Sequence, residues 1–149
     1  MAVKHPELNF PPIKLAAIER DGKPMVFDTI RKSYVVLTPE EWVRRHVVEF
    51  LISHCHVPRL SITQEYPVNI NSTAQRADIV VFDSQARPLM LVECKAPDIK
   101  VDRSVVEQAT RYNMVVGARY IILTNGLKHY CFELTAEGYR QILHFPQYE

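Results

Sequence analysis

Three ionisable side chains, Asp78, Glu93 and Lys95, border two apolar runs, Ile79-Val-Val-Phe82 and Leu89-Met-Leu-Val92, joined by a short polar stretch. Charge inside apolar strands is costly without a compensating partner. If residues 84–87 turn a hairpin, Asp83 opposes Pro88, Phe82 opposes Leu89, Val80 opposes Leu91 and Asp78 opposes Glu93. Directly opposed residues hold their Cβ atoms roughly 5 Å apart. Alternation then gives Glu93 and Lys95 one face, over a floor of Val80, Phe82, Leu89 and Leu91, with Cys94 pointing away. Two carboxylates so placed repel by about 3 kcal/mol at an effective dielectric near 20. A shared proton or a bound cation relieves that repulsion. Mg²⁺ suits carboxylate oxygens and keeps waters for exchange, so Asp78 and Glu93 are candidate metal ligands, with Mn²⁺ as a substitute. A slip of one residue would put the two acids on opposite faces. The plain alternative is a solvated Glu-x-Lys ion pair at a strand end; the preceding apolar run and the second acid in register weigh against it.

The elements that must hold these groups follow from pattern. Residues 1–12 read as an extended arm with three prolines, and Asp21-Gly22 as a tight turn between short strands. Thr38-Pro39-Glu40-Glu41 carries an N-cap, a proline at the first helical position and a glutamate at the third. Trp42, Val43, His46, Val47, Phe50 and Leu51 then recur at helical spacing, up to a stop ahead of Pro58. A strand over 60–68, a loop over 69–75 and the acidic hairpin come next. A second helix starts at Asp102 or Ser104, where Ser104-Val-Val-Glu107 forms a capping box, and ends at Gly117. Arg119 to Thr124 reads as a buried strand, Asn125-Gly126 as a hairpin turn, Lys128 to Leu134 as a strand, and Thr135 or Ala136 as the start of a short helix. Ile79, Val81, Met90, Val92 and Cys94 make the hairpin apolar on its reverse side too, which predicts helices on both faces: a three-layer α/β/α sandwich around a central mixed sheet. The expected division is an arm with short strands over 1–37 packed on a core over 38–149, one globular unit overall.

Bulk properties restrict the function. With 149 residues, 47% hydrophobic and 23% charged, the chain is long and apolar enough for a sizeable core. No run has the length of a membrane span, and Met1–Glu7 lacks an apolar signal core, so a cytoplasmic location is expected. The net charge of +1 falls short of the excess that announces nucleic-acid binding, so contact with DNA needs local clustering. The candidates are Arg44, Arg45, Arg76, Lys95, Lys100, Arg103 and Arg111, with Arg44, Arg76, Lys100 and Arg111 the expected nucleic-acid contacts. Cys55, Cys94 and Cys131 form no C-x-x-C pair, and His54-Cys55-His56 reads as helix-end packing because adjacent side chains diverge.

The order helix, three strands with Asp on the second and Glu-x-Lys on the third, helix, strand resembles the core of the PD-(D/E)xK nuclease superfamily. Arg76-Ala-Asp78-Ile-Val-Val, Glu93-Cys-Lys95-Ala-Pro, Gln108-Ala-Thr-Arg-Tyr112-Asn and Thr124-Asn125-Gly126 are similar to the N-terminal nuclease domain of type I restriction enzyme R subunits, over about residues 38–134. The resemblance implies a restriction-endonuclease-like fold and Mg²⁺-dependent hydrolysis of DNA phosphodiesters. Asp78 and Glu93 would bind metal, joined by the Cys94 carbonyl, and Lys95 would orient water and neutralise phosphate. Gln108 and Tyr112 match the family's Gln-x-x-x-Tyr and share a helix face. Many members add an acid from the first helix; Glu41 is the first choice and Glu49 the second, although Glu41 also suits an i, i+4 pair with Arg45. No G-x-x-x-x-G-K-[ST] loop occurs, so no ATP site is expected. DNA is the expected partner; a motor or specificity protein in trans and a homodimer are left open. The alternative is a weak or inactive nuclease fold that binds DNA or a protein, and a third reading is a generic α/β scaffold with charged strand ends.

Overall fold

The computed structural model describes residues 5–149; the first four residues of the arm lie outside the described residues. Residues 5–16 run without regular structure along the first helix: the Trp42 indole donates to the Pro6 carbonyl at 2.8 Å, and Asn9 N–H donates to the Gly126 carbonyl at 2.8 Å. Strands β1 (Ala17–Arg20), β2 (Lys23–Asp28) and β3 (Ser33–Val36) form a separate antiparallel sheet. Its first turn is Asp21-Gly22, both residues at positive φ (53° and 77°), the mirror-image geometry that matches strand twist.

Helix α1 (Pro39–Ser53) begins as its sequence dictates, with Thr38 Oγ1 accepting from Glu41 N–H at 3.0 Å and Pro39 in the first turn. Next come β4 (Ile62–Ile70), β5 (Thr73–Phe82) and β6 (Pro88–Cys94), then α2 (Arg103–Val116), β7 (Tyr120–Thr124), β8 (His129–Thr135) and β9 (Gly138–Ile142). The six strands β4 to β9 lie in sequence order in one mixed sheet; β6 and β7, joined through α2, are the parallel pair. Val43, Val47, Val48 and Leu51 of α1 pack with Ile79, Val81, Met90, Val92 and Cys94. Val105, Ala109 and Tyr112 of α2 pack with Val80, Leu91, Ile121 and Leu123. The alternating residues of β5 and β6 thus serve two apolar clusters, one under each helix. No helix among the described residues is long and apolar enough to cross a membrane.

Four expectations change. Residues 136–142 are not helical: Gly138 (φ 107°) turns the chain so that β9 pairs with β8, held by the Thr135 hydroxyl donating to the Gly138 carbonyl at 2.7 Å. The polar stretch 69–75 is not a loop but two strand ends around an Asn71-Ser72 turn, its backbone satisfied by cross-strand pairing whatever the side chains. Of the two starts offered for α2, Asp102 is the cap and the Ser104–Glu107 capping box does not form: Asp102 Oδ1 accepts from Ser104 N–H at 3.1 Å and Val105 N–H at 3.3 Å. Finally, Phe82 pairs with Pro88 across a bulge; Leu89 is the extra residue and packs with the α1-side cluster instead of flooring the acids.

Candidate active site

Ladder pairs Ile79–Val92, Val80–Leu91 and Val81–Met90 follow the expected hairpin register. One step further brings Asp78 and Glu93 together. Asp78 N–H donates to Glu93 Oε1 at 3.3 Å, and Cys94 N–H donates to Asp78 Oδ2 at 2.7 Å. Their neighbours Val80 and Leu91 point to the α2 side, so the acids converge at the sheet end below α2. The β4–β5 ladder pairs Gln64 with Ile79 and Tyr66 with Ala77, which brings Glu65 across from Asp78. Glu65 sits at φ 51°, a left-handed conformation that kinks β4 beside the acids. Three acids, on β4, β5 and β6, therefore stand abreast.

Burial sets the electrostatics. Glu93 is only 4% exposed. Burial, and then the charge of Asp78, push its carboxyl up to about 9, with Lys95 among the groups pulling it back. Asp78 is also raised, by burial, against the lowering charge of Arg44 and the Cys94 N–H. Lys95 is half-buried, and its N–H donates to the Thr124 carbonyl at 2.8 Å, tying the end of β6 to β7. On α2, burial and then the charges of Glu93 and Asp78 raise the Tyr112 phenol, which places it within their field. The phenol donates to Gln75 Oε1 at 3.2 Å. Gln108, Tyr112 and Arg111 line a hollow of about 280 Å³ with Asn71, Thr73 and Gln75 from the β4–β5 hairpin.

The first helix behaves differently from expectation. Glu41 is buried and turned to Arg45, whose Nε donates to its Oε2 at 2.8 Å. Its neighbour Glu40 shares Arg44 with Asp78: burial and then Asp78 raise its carboxyl, and Arg44 and then Lys95 lower it. Glu49 lines hollows with Lys14 and Phe50 on one side and Phe27 and Arg45 on the other, among none of the site residues. Arg44, expected as a nucleic-acid contact, does not stand on the surface. It is buried, with Nη2 at 3.5 Å from Asp78 and 3.6 Å from Glu40, and Nη1 at 3.4 Å from Glu65 and 3.7 Å from Glu41. Arg76 is exposed and pairs with Glu65 at 3.2 Å; Lys100 and Arg111 are exposed.

Sequence pattern did not single out Glu40, Glu65, Gln75 or the Asp28–Arg45 pair. The fully buried Asp28 of β2 meets Arg45 at 2.9 Å and accepts from Gln64 Nε2 with both carboxylate oxygens, at 2.9 and 2.8 Å. Burial raises the Asp28 carboxyl, but the Arg31 N–H, the Arg45 charge and Gln64 outweigh it and leave it below the ordinary range. The one available signal was the i, i+4 spacing of Glu40 and Arg44. The His54-Cys55-His56 triplet diverges as expected: His54 stacks on Phe50, Cys55 is buried and His56 meets Gln147.

Comparison with known proteins follows the same lines. A solved fragment assigned to an HsdR subunit of a type I restriction enzyme from Vibrio vulnificus YJ016 shares the fold at a TM-score of 0.57 and 22% identity. The match covers 74% of this chain and 24% of that one, so the chain spans about a quarter of that protein's length. No curated protein matches the chain. Residues 39–146, well over half of the chain, match the family described as Type I restriction enzyme R protein N terminus (HSDR_N). The chain that carries this acid-lined sheet end belongs to the N-terminal family of type I restriction enzyme R proteins.

Proposed function

We propose that this chain is a metal-dependent deoxyribonuclease module with a restriction-endonuclease-like α/β/α core of the PD-(D/E)xK type. The observation that carries the reading is the buried Glu93 carboxyl set against Asp78 with Lys95 two positions beyond. The donor set fits Mg²⁺ or Mn²⁺: hard carboxylate oxygens whose mutual repulsion a divalent cation would relieve. Among the described residues no three His, Cys, Asp or Glu side chains close into a cage. Mg²⁺ takes one or two carboxylates and leaves its other positions to water and phosphate.

Asp78 and Glu93, with the Cys94 carbonyl, would hold the ion, and Glu40 takes the place expected of Glu41 as the helix acid. When bound, the ion supplies a Lewis acid and lowers the pKa of a coordinated water. Lys95 offsets charge on the phosphate oxygens. Gln108 and Tyr112 approach the DNA backbone from α2, and Arg76, Lys100 and Arg111 are exposed for phosphate contact. The proposed partner is DNA, to which a motor or specificity protein acting in trans, or a second copy of the chain, would bring the module in the cytoplasm. A second reading, an inactive module that binds DNA or protein, draws support from Arg44, which already sets a positive charge beside Asp78.

The test combines Mn²⁺ calorimetry with cleavage of plasmid DNA in Mg²⁺, on the wild type and a folded Glu93→Ala variant. The nuclease reading expects binding and nicking by the wild type and neither by the variant. Equal cleavage by both sinks it; metal binding without cleavage by the wild type favours the second reading.

A further inference from the structure

Two adjacent arginines on α1 are held in opposite ways. Arg45 makes close contacts, 2.8 Å to Glu41 and 2.9 Å to Asp28, and its third nitrogen donates to Gln64. Such distances are those of charge-assisted hydrogen bonds, and they make Arg45 a clamp between α1 and the small sheet. Arg44 faces four carboxylates at longer range: its Nη1 donates one long hydrogen bond to Glu65 at 3.4 Å, and its separations from Asp78, Glu40 and Glu41 run from 3.5 to 3.7 Å. Only 7% of the residue is exposed, and its Nε is buried with no hydrogen-bond partner. A buried guanidinium donor left unmatched is unfavourable, so this is a loosely held cation rather than a structural fork. It stands between Glu65 and Asp78, next to the Asp78 oxygen that the Cys94 N–H leaves open.

We propose that Arg44 is a resident counter-cation that Asp78 exchanges for a divalent metal ion, and that it thereby sets the metal affinity of the site. The proposal rests on the metal-site reading above. In the metal-free protein Arg44 neutralises Asp78 and Glu40. On metal entry it releases Asp78 and stays with Glu41 and Glu65. No covalent step is involved, only a change of partners among charges already present. The charged groups around Arg44 are Glu40 and Glu41 on its own helix, Glu65 on β4 and Asp78 on β5; beyond them, Lys95 also acts on Asp78 and Glu40. Removing Arg44 leaves four acids there without their shared cation. A divalent ion then enters an emptier and more negative site.

The experiment is calorimetric titration of Mn²⁺ into the full chain at constant pH, comparing wild type with Arg44→Gln. The variant is expected to bind Mn²⁺ at least about tenfold more tightly, which is a 1.4 kcal/mol difference. Equal or weaker binding by the variant overturns the proposal; weaker binding would make Arg44 a group that positions Asp78 for the metal. If Arg44→Gln does not fold, the wild type answers by ¹⁵N spectroscopy. The Arg44 Nε–H signal, assigned with Arg44→Lys, is expected to shift saturably with Mg²⁺ while that of Arg45 stays. Mg²⁺ binding reported by the Cys94 amide with Arg44 unmoved overturns the proposal alone. No binding of either ion by the wild type or by Arg44→Gln removes the metal-site reading and this inference together.

Discussion

Glu93→Gln isolates the buried carboxyl without changing its shape. The native glutamate leaves its ordinary value of 4.5 for about 9 through burial and the charge of Asp78. Between those values the folded chain holds a proton that the unfolded chain has released, so raising pH favours unfolding. Stability is greatest below about pH 4.5 in respect of this group and is lost as pH climbs toward 9. Each pKa unit corresponds to about 1.4 kcal/mol, so three units of pH above the ordinary value remove at most about 4 kcal/mol from the metal-free protein. The glutamine carries no such charge and keeps an oxygen for the Asp78 N–H. Without divalent ions near pH 7.5, Glu93→Gln is therefore expected to be the more stable protein, by up to roughly 8–16 °C in Tm for a chain of this size. The gap should close near pH 4.5, and Mg²⁺ should raise the wild-type Tm while leaving the variant unmoved. Thermal unfolding in EDTA and in Mg²⁺ across pH 4.5–8.5 gives the comparison. Parallel pH profiles for the two proteins in EDTA would refute the reasoning, because they would mean that Glu93 is charged at no cost in the fold.

Two further outcomes concern the frame. Asp28→Asn leaves the buried Arg45 guanidinium with Glu41 alone for a carboxylate, and urea unfolding at neutral pH should show a loss of about 3–5 kcal/mol; a loss below about 1 kcal/mol would mean that Gln64 and Glu41 suffice. Gly126→Ala would put a methyl 2.7 Å from Leu8 Cδ2 and 3.2 Å from Val43 Cγ2 at a residue with φ +87°. It should cost about 1–3 kcal/mol and expose the N-terminal arm to limited proteolysis.

The sequence by itself determined the local pieces whose causes are local. Thr38-Pro39 starts α1, Gly117 ends α2 in the left-handed conformation (φ 75°) that glycine tolerates, and Asp21-Gly22 turns the first hairpin. It also determined the pairing of Asp78 with Glu93, because a period of two and a short turn leave few registers that bury both faces of β5 and β6. Tertiary structure decided everything that depends on distance in sequence. Which of Glu40 and Glu41 is tied to Arg45 rests on Asp28, which arrives from another sheet to fix Arg45 and with it Glu41. Arg44 reads as a surface cation until Glu65 and Asp78 close over it from neighbouring strands. The last strand was hidden for a related reason. Gly138-Tyr-Arg-Gln-Ile142 has little apolar alternation of its own, and it becomes a strand because β8 offers an open row of backbone donors and acceptors. Hydrogen bonds within one segment are written in its residues; charge balance and sheet edges belong to whatever the fold brings alongside.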